Sequence, residues 1–496
     1  MIRWNWLLIF LVTCGRSSFA AELPDTSKMN VLFINIEDCN AGVFGCYGNS
    51  ICQTPNIDRF ARSAVLFDSA YCQAISCNPS RTSFLTGLRP PTTHVFSNGD
   101  VMDELLPAGT ITLPEVLKSG GFTTANVGKL FHKLDYADKA MLAFDRLEMH
   151  DKPAGWKGPG PILTFPGKRP GWEKAPEDQN SQEFRTWKRK HSDRYGDSGL
   201  QREEEYDSRM AATASALLRH FAEAKPNERF FLSVSQSKPH TPLIAPKNYV
   251  DMYDPARIPM PPAAPDTLAN FPTHYRKRGS GGNPDIFRDR QPTSQQVREA
   301  IAAYYACVTL VDDNVGEILA TLDETGLSRN TIVIFLGDHG FHLGDHGFWS
   351  KYSMLEATRR APLIVRVPGA PANGKVCRQF VELVDLFPTI GHLAGLKLPD
   401  HLEGVSFAPL FSDADRSWKR AVFMSGGSSD PGQMVRDRRY SYLEFENSEP
   451  AAALFDLEKD PWEARNLIDD PDYAAARKQM AALLKGGWKA ALPPSK

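Results

Sequence analysis

The sequence carries almost no excess of charge of either sign. Its 57 Lys and Arg residues are balanced by 59 Asp and Glu residues, which gives a formal net charge of -2 at pH 7 over 496 residues. Proteins that bind nucleic acid or anionic membranes through their overall field have a strong basic excess. We therefore expect no nucleic-acid partner, and selectivity for an anion has to come from a local site.

Long apolar runs are scarce as well. One such run, residues 6–12, follows Arg3 and precedes the small residues around Ala20 and Ala21. This pattern is typical of an export signal, and the apolar core is too short to span a bilayer. Residues 11–14 match a lipoprotein signal less well. We predict a signal peptide over residues 1–21, an exported protein and no stable membrane insertion.

Glycosylation acceptors are missing, since the only Asn-x-Ser/Thr triplet, at residues 78–80, has Pro at its centre. This absence favours a bacterial periplasmic or secreted protein over a glycosylated lysosomal one. Cysteine is infrequent, with 8 residues. In an oxidising compartment Cys39, Cys46, Cys52 and Cys72 are candidates for disulfides, but their spacing does not specify a pairing.

Apolar segments alternate with helical patterns along most of the chain. Continuous apolar runs predict buried strands at residues 29–36, 122–127, 230–234, 331–336 and 362–367. Pro55 and a capping box of Thr112 and Glu115 predict helix starts, and a stripe at three-four spacing predicts a long helix over 297–322. This order predicts an α/β sandwich with a mostly parallel central sheet.

Two regions depart from this pattern. Residues 150–200 are rich in Pro, Gly, Trp and basic side chains, and they either line a pocket for an acidic saccharide or form a solvated insertion. After residue 411, alternating segments at 421–424 and 439–445 predict an antiparallel sheet. We therefore predict a large domain over residues 22–411 and a smaller C-terminal α+β domain over residues 412–496.

The most informative segment is Ser76-Cys77-Asn78-Pro79-Ser80-Arg81, followed by an amphipathic run. Pro79 suits the first turn of a helix, so the chain is expected to coil directly after Cys77. Such a helix start directs backbone N–H groups at an oxyanion, and Arg81 would add a guanidinium fork. A half-buried structural cysteine is the alternative.

Acidic residues follow two of the predicted strands. Glu37 and Asp38 come after the strand that ends at residue 36, and Asp338 and His339 follow the strand that ends at residue 336. Open α/β sheets gather ligands beyond the carboxyl ends of their strands, and oxygen ligands favour Ca²⁺ or Mg²⁺. Either pair alone is more often a loop cap, but both pairs together predict a metal site.

The segment from Cys77 to Arg81, continuing to Leu85-Thr86-Gly87, resembles the signature of the type I sulfatases, and similar segments run from about residue 30 to residue 467. The resemblance implies a sulfuric ester hydrolase with an alkaline-phosphatase-like sandwich, the catalytic domain being residues 22–411. It also implies that a formylglycine-generating enzyme converts Cys77 to 3-oxoalanine (formylglycine) during export. The hydrate of this aldehyde is then the nucleophile.

The same resemblance implies one Ca²⁺ ion, and its implied ligands are Glu37, Asp38, oxidised Cys77, Asp338 and His339. Most sulfatases have Asp at the position of Glu37 and often Asn at the position of His339. The Asp-His pair is seen in the iduronate 2-sulfatase branch.

Further segments of the family imply the remaining catalytic groups. Gly128-Lys129-Leu130-Phe131-His132 makes Lys129 a sulfate ligand and His132 the base for sulfate elimination. Lys238-Pro239-His240 makes His240 the acid for the leaving oxygen. Lys351 matches a second sulfate-binding lysine, and Arg81 is expected to hold the hydrated aldehyde.

These segments are most similar to iduronate 2-sulfatases, which implies a sulfated saccharide substrate with a 2-O-sulfated uronic acid. Choline sulfatase or another carbohydrate sulfatase is the first alternative. A phosphonate or phosphodiester hydrolase of the same superfamily is the second. An inactive saccharide-binding protein is the third, if Cys77 is not oxidised.

Overall fold

The computed structural model describes residues 22–132, 143–148, 176, 178, 181–223, 228–262, 268, 270–273, 275, 286–287, 290–427, 432–446 and 448–494. The predicted signal peptide and most of the basic region before residue 181 lie outside these residues. Among the helices within them, none combines the length and the apolar character that crossing a membrane requires.

The strands, in chain order, are β1 (Asn30–Ile36), β2 (Val65–Phe67), β3 (Ala70–Tyr71), β4 (Phe122–Val127), β5 (Arg146–Glu148), β6 (Tyr195–Asp197), β7 (Arg229–Gln236), β8 (Leu243–Ala245), β9 (Thr331–Gly337), β10 (His342–Leu343), β11 (Trp349–Ser350), β12 (Leu363–Arg366), β13 (Val376–Cys377), β14 (Val381–Glu382), β15 (Val422–Ser425), β16 (Gln433–Arg436), β17 (Tyr440–Glu444) and β18 (Ala452–Asp456).

The α-helices are α1 (Pro55–Ala61), α2 (Cys77–Thr86), α3 (Pro90–Thr93), α4 (Met102–Leu105), α5 (Leu113–Ser119), α6 (Gln182–Ser192), α7 (Tyr206–Ala222), α8 (Lys247–Val250), α9 (Ser294–Glu324), α10 (Glu356–Arg359), α11 (Leu386–Leu393) and α12 (Ala474–Gly486).

The central sheet has the strand order β13-β2-β12-β9-β1-β7-β4-β5. Its pairings are parallel except those of β12, which runs antiparallel to β9 and to β2. This confirms the predicted mostly parallel sheet. All residues of β1 are buried, because Val31 and Phe33 pack into one apolar cluster while Leu32 and Ile34 pack into another on the opposite face.

Helices cover both faces of this sheet. Residues of α2, α5 and α11 contribute to the first apolar cluster, and residues of α1, α7 and α9 contribute to the second. The predicted helix starts are confirmed, since α1 begins at Pro55 and the Thr112 amide donates to Glu115 Oε2 at 2.8 Å. The predicted long helix is α9, which has 31 residues.

The C-terminal region has its own antiparallel sheet, in the order β15-β16-β17-β18. Helix α12 packs on it through Met480 and Leu484. An α+β architecture is therefore confirmed there, while the boundary at residue 412 stays a prediction. The candidate cysteines Cys39, Cys46, Cys52 and Cys72 form no disulfide in the structure, and residues 182–192 of the basic region form a helix.

A buried cluster of charges joins the large domain to this C-terminal region. Glu382 accepts from both terminal nitrogens of Arg89, at 2.9 and 2.6 Å, and from Lys419 at 2.8 Å. The Arg89 guanidinium also stands over the ring of Trp488, 5.1 Å from its centroid. Because all three ionic groups are buried, each depends on its partners for the interactions that water would otherwise supply.

We expect Glu382→Ala to lower the free energy of unfolding by about 3 to 5 kcal/mol, because it leaves Arg89 buried without its bidentate partner. Chemical denaturation measures this loss. Glu458→Ala is the matched control, since the Glu458 side chain is 65% exposed. Equal losses in the two variants would contradict a stabilising role for the buried cluster.

Candidate active site

The site lies where four parallel strands end. Strands β9, β1, β7 and β4 are neighbours, so the residues that follow them meet at one edge of the sheet. The Asp338 amide donates to the Ile36 carbonyl at 3.2 Å, and the Asp38 amide donates to Asp338 Oδ1 at 3.1 Å. The two predicted pairs of candidate metal ligands are therefore brought together.

Cys77 is the first residue of α2, as predicted, and it is fully buried. Its Sγ lies 3.6 Å from Asp38 Oδ1, 3.4 Å from His339 Nε2 and 3.2 Å from Lys351 Nζ. The ligand atoms of Asp38, Cys77 and His339 all lie within 4.8 Å of one another. These three residues form the centre of the site.

Asp38 has the least satisfied carboxylate in this group. Its Oδ1 accepts from Lys351 Nζ at 2.6 Å, whereas its Oδ2 is buried and has no hydrogen-bond partner. Burial by itself would raise the pKa of Asp38, but the charges of His240, Lys351 and His339 hold it well below its usual range. A buried anionic oxygen without a donor is the group that a bound cation would satisfy.

His339 directs its Nε2 toward the same place and so offers a nitrogen ligand for a cation. Its Nδ1 lies 2.8 Å from the Gly340 carbonyl and can donate to it, while its Nε2 lies 3.3 Å from Asp38 Oδ1 and 3.4 Å from Cys77 Sγ. Asp338 Oδ1 is 3.7 Å from this Nε2. The donor set of Asp38, Asp338 and His339 therefore fits a divalent cation.

Arg81 directs its N–H groups at protein oxygens, and its expected contact with the hydrated aldehyde stays a prediction. Its Nε donates to Asp338 Oδ2 at 3.1 Å, and its Nη1 donates to the carbonyls of Lys129 and Leu130. With the Asn35 amide turned so that its oxygen faces the guanidinium, Nη2 donates to it at 2.7 Å. Arg81 thus positions Asp338 and the end of β4, because its N–H groups are directed at protein oxygens.

The start of α2 also differs from the predicted oxyanion cradle. The Asn78 amide donates to the side chain of Asn98 at 3.0 Å, and Pro79 has no N–H group. The Ser80 amide donates to the Ser76 carbonyl at 3.1 Å. The first turn of the helix is therefore largely capped by protein atoms.

Glu37 lies beside the three central residues but is paired with cations. Its Oε2 accepts from Lys129 Nζ at 2.9 Å, and its Oε1 is 3.6 Å from Arg81 Nη2. Lys129 is 29% exposed, so its ammonium group lies between the buried centre and solvent. The direct metal contact of Glu37 stays a prediction.

His240 reaches the centre from the loop after β7. Its Nδ1 lies 2.8 Å from the Thr241 carbonyl, and its Nε2 lies 3.8 Å from Asp38 Oδ2. A side-chain exposure of 34% leaves His240 open to a ligand that enters from solvent. His132 lies after β4 and is partly exposed, and its role stays a prediction.

Two supporting residues were missed by the sequence analysis. Asp207 in α7 accepts from the backbone amides of Ser237 and Lys238, at 2.8 and 2.7 Å, and so holds the loop of His240. Burial raises the pKa of Asp207 to about 6. Tyr304 donates its hydroxyl to the Asp38 carbonyl at 2.7 Å. No local motif marks either residue, because each is one polar position on an otherwise apolar helix face.

The unmodified thiol of Cys77 is poorly suited to nucleophilic attack. Burial raises its pKa well above the usual range, which outweighs the opposing effect of Lys351. The thiol is therefore neutral at physiological pH, and the thiolate is the form that attacks. The burial of residue 77 therefore disfavours catalysis by an unmodified thiolate.

Comparison with known proteins agrees with this arrangement. The Sulfatase family profile matches residues 29–396, and the profile of the N-sulphoglucosamine sulphohydrolase C-terminal region matches residues 344–488. Iduronate 2-sulfatase of Mus musculus is 31% identical over 420 residues, covering 77% of this chain and 71% of the mouse protein. Choline-sulfatase of Rhizobium meliloti is 27% identical, covering 90% of this chain and 83% of that protein.

Among solved structures, phosphonate monoester hydrolase of Agrobacterium radiobacter superposes with a TM-score of 0.71 at 23% identity, covering 92% of this chain and 95% of that one. This likeness confirms the alkaline-phosphatase-like fold. Sulfatases generally use formylglycine and a divalent metal ion, and the buried group of Asp38, Cys77 and His339 suits both. The chain therefore belongs to the sulfatase family and is a sulfuric ester hydrolase.

Proposed function

We propose that this enzyme removes the 2-O-sulfate from a uronic acid in a sulfated saccharide, through a hydrated formylglycine at residue 77 beside one Ca²⁺ ion. The observation that carries the chemistry is the contact of buried Cys77 with Asp38, His339 and Lys351. The identity of 31% to an iduronate 2-sulfatase supports the substrate.

The burial of Cys77 bears on how it is modified. Since its exposure is 0%, a formylglycine-generating enzyme has to act before the chain folds. This order fits export of an unfolded chain behind the predicted signal peptide, to the periplasm or the medium. A hydrated aldehyde supplies one hydroxyl that attacks sulfur and a second whose deprotonation releases sulfate and restores the carbonyl.

Ca²⁺ would be held by Asp38, Asp338 and His339 together with residue 77, and Glu37 is the remaining candidate ligand. The ion would supply positive charge next to the nucleophile and favour its deprotonated form. The unpartnered Oδ2 of Asp38 supports this assignment.

The cations around the centre suit a sulfate group. Lys351 is buried next to Cys77, and Lys129 stands at the solvent side of the same centre, so both can donate to sulfate oxygens. His240, held through Nδ1, offers Nε2 to the leaving oxygen and would donate the proton. His132 is the proposed base for sulfate release.

The second candidate is a phosphonate monoester or phosphodiester hydrolase, favoured by the superposition on such an enzyme over 92% of this chain. Phosphonate and sulfate esters are both tetrahedral anions, and the same lysines would serve either. Choline sulfate is a further candidate, because a choline-sulfatase is among the relatives.

A substrate comparison tests the proposal. We expect kcat/KM for a disaccharide with a 2-O-sulfated uronic acid to exceed that for choline sulfate and for a phosphonate monoester by at least roughly tenfold, because saccharide contacts add transition-state binding. Cys77→Ala is the control for contaminating activity, and it should fold normally without turnover. A phosphonate monoester as the best substrate would replace this proposal with the second candidate.

Removal of the Asp38 charge should weaken the metal site. Asp38→Asn keeps the shape of the side chain but takes away an anionic ligand, so we expect Ca²⁺ affinity to fall by roughly tenfold or more. Calorimetric titration of the metal-free protein measures this without substrate. Asp251→Asn is the matched control, since the Asp251 side chain is 57% exposed. Unchanged affinity in Asp38→Asn would argue against the site.

The proposed acid role of His240 predicts a dependence on the leaving group. His240→Ala should lower kcat by roughly 100-fold for a sugar sulfate but by much less for a nitrophenyl sulfate, because an activated phenolate needs no protonation. Steady-state kinetics on both esters decides this, with exposed His220→Ala as the control. A similar loss on both esters would exclude His240 as the acid.

A further inference from the structure

Helix α6 concentrates positive charge on a chain that is otherwise balanced. It carries Arg185, Lys188, Arg189 and Lys190 but a single acid, Glu183, whereas the whole chain has a net charge of -2. All four cations are exposed. The proposed chemistry at residue 77 makes no use of this helix.

The helix turns an aromatic side toward the protein. Phe184, Trp187 and His191 follow a three-four spacing, and their rings are in contact, with centroids 5.7 Å apart for the first pair and 4.4 Å apart for the second. His191 is buried, and Ser181 caps the helix by accepting from the Phe184 amide at 2.9 Å. The basic side chains occupy the remaining, solvent-facing part of the helix surface.

The C-terminal end of α6 is attached to the loop of the proposed acid. The carbonyl of Arg194 accepts from the Leu243 amide at 2.9 Å, and β6 pairs with β8 directly after this contact. Leu243 follows His240 by only three residues. The C-terminal end of the helix is therefore held close to the loop of His240.

A second attachment reaches the loop of Lys351. Asp193 follows α6, and its Oδ1 accepts from the Phe287 amide at 2.7 Å. The Phe287 ring meets Trp349 edge-on, at 5.0 Å between centroids. Trp349 belongs to β11, which ends directly before Lys351. The end of α6 is thus fixed relative to two of the proposed catalytic groups.

These connections limit how far the cations lie from the centre. Three residue steps, one backbone hydrogen bond and one helical turn place the Cα atoms of His240 and Lys190 at most roughly 25 Å apart. The cations of α6 therefore lie within reach of neighbouring units of a longer anionic substrate whose sulfate is bound at the centre.

We propose that the basic side of α6 binds the continuing chain of a sulfated, uronate-containing polysaccharide while one sulfate occupies the catalytic centre. This inference rests on the proposed function in that the substrate is a sulfated saccharide. The charge complementarity selects a polyanion, and the attachment of α6 to the loops of His240 and Lys351 places its cations near the site.

The test compares two double variants that remove equal charge. Lys188→Gln with Lys190→Gln removes two of the four cations of α6 and keeps its helix propensity, while Lys478→Gln with Lys485→Gln removes two exposed lysines of α12. Immobilised heparin serves as the polyanion, and the salt concentration at elution is the readout. The values of kcat/KM on a 2-O-sulfated disaccharide and on a sulfated, uronate-containing polysaccharide are measured in parallel.

We expect only the α6 variant to elute at lower salt and to lose roughly three- to tenfold in kcat/KM on the polysaccharide. Its kcat/KM on the disaccharide should stay within about twofold of the parent protein, because a disaccharide lacks the further units that the α6 cations are proposed to contact. Identical elution of the parent and both variants would overturn the inference. So would equal losses on the disaccharide and the polysaccharide.

Heparin binding does not require turnover, so this readout separates the inference from the proposed function. If the enzyme prefers another ester but only the α6 variant loses heparin binding, the polyanion surface is supported and the uronate 2-O-sulfate specificity is refuted. If the enzyme desulfates the disaccharide as proposed, yet the parent protein and both double variants bind heparin equally, the proposed function stands and the polyanion surface on α6 is refuted.

Discussion

The site depends on one buried anion, the carboxylate of Asp38. It is removed from water at the end of β1, and Lys351 satisfies only one of its two oxygens. An uncompensated charge in such a place costs several kcal/mol, so the carboxylate depends on the cations around it, and its second oxygen is the group that a bound divalent ion would satisfy. Cys77 Sγ lies 3.6 Å from Asp38 Oδ1, the oxygen that also accepts from Lys351. Any group formed at residue 77 therefore lies in the electrostatic field of Asp38 and Lys351.

Much of the central sheet and the position of the site were predictable from local signals in the sequence. A continuous apolar run specifies a buried parallel strand, and parallel strands end at one edge, so Asp38 and Asp338 were expected to meet. Pro79 specified the start of α2 at Cys77, and the capping box of Thr112 specified α5. The family signature then assigned the chemistry, which composition and periodicity alone leave open.

The rest depends on contacts between residues far apart in the sequence. The direction of the Arg81 guanidinium is set by carbonyl groups 48 and 49 residues away, which no local pattern reveals. Asp207 supports the His240 loop across 30 residues, and its carboxylate looks like an isolated acid on a helix. Cys39 and Cys52 are buried in the same apolar cluster and form no disulfide, which their spacing in the sequence does not reveal.

The most direct test is a crystal structure of the exported, active protein grown with Ca²⁺. The account predicts an ion within about 2.3 to 2.6 Å of Asp38 Oδ2 and oxygen atoms, with no sulfur, on the side chain of residue 77. Intact sulfur at residue 77, with no ion at Asp38 in protein that hydrolyses sulfate esters at full rate, would contradict it.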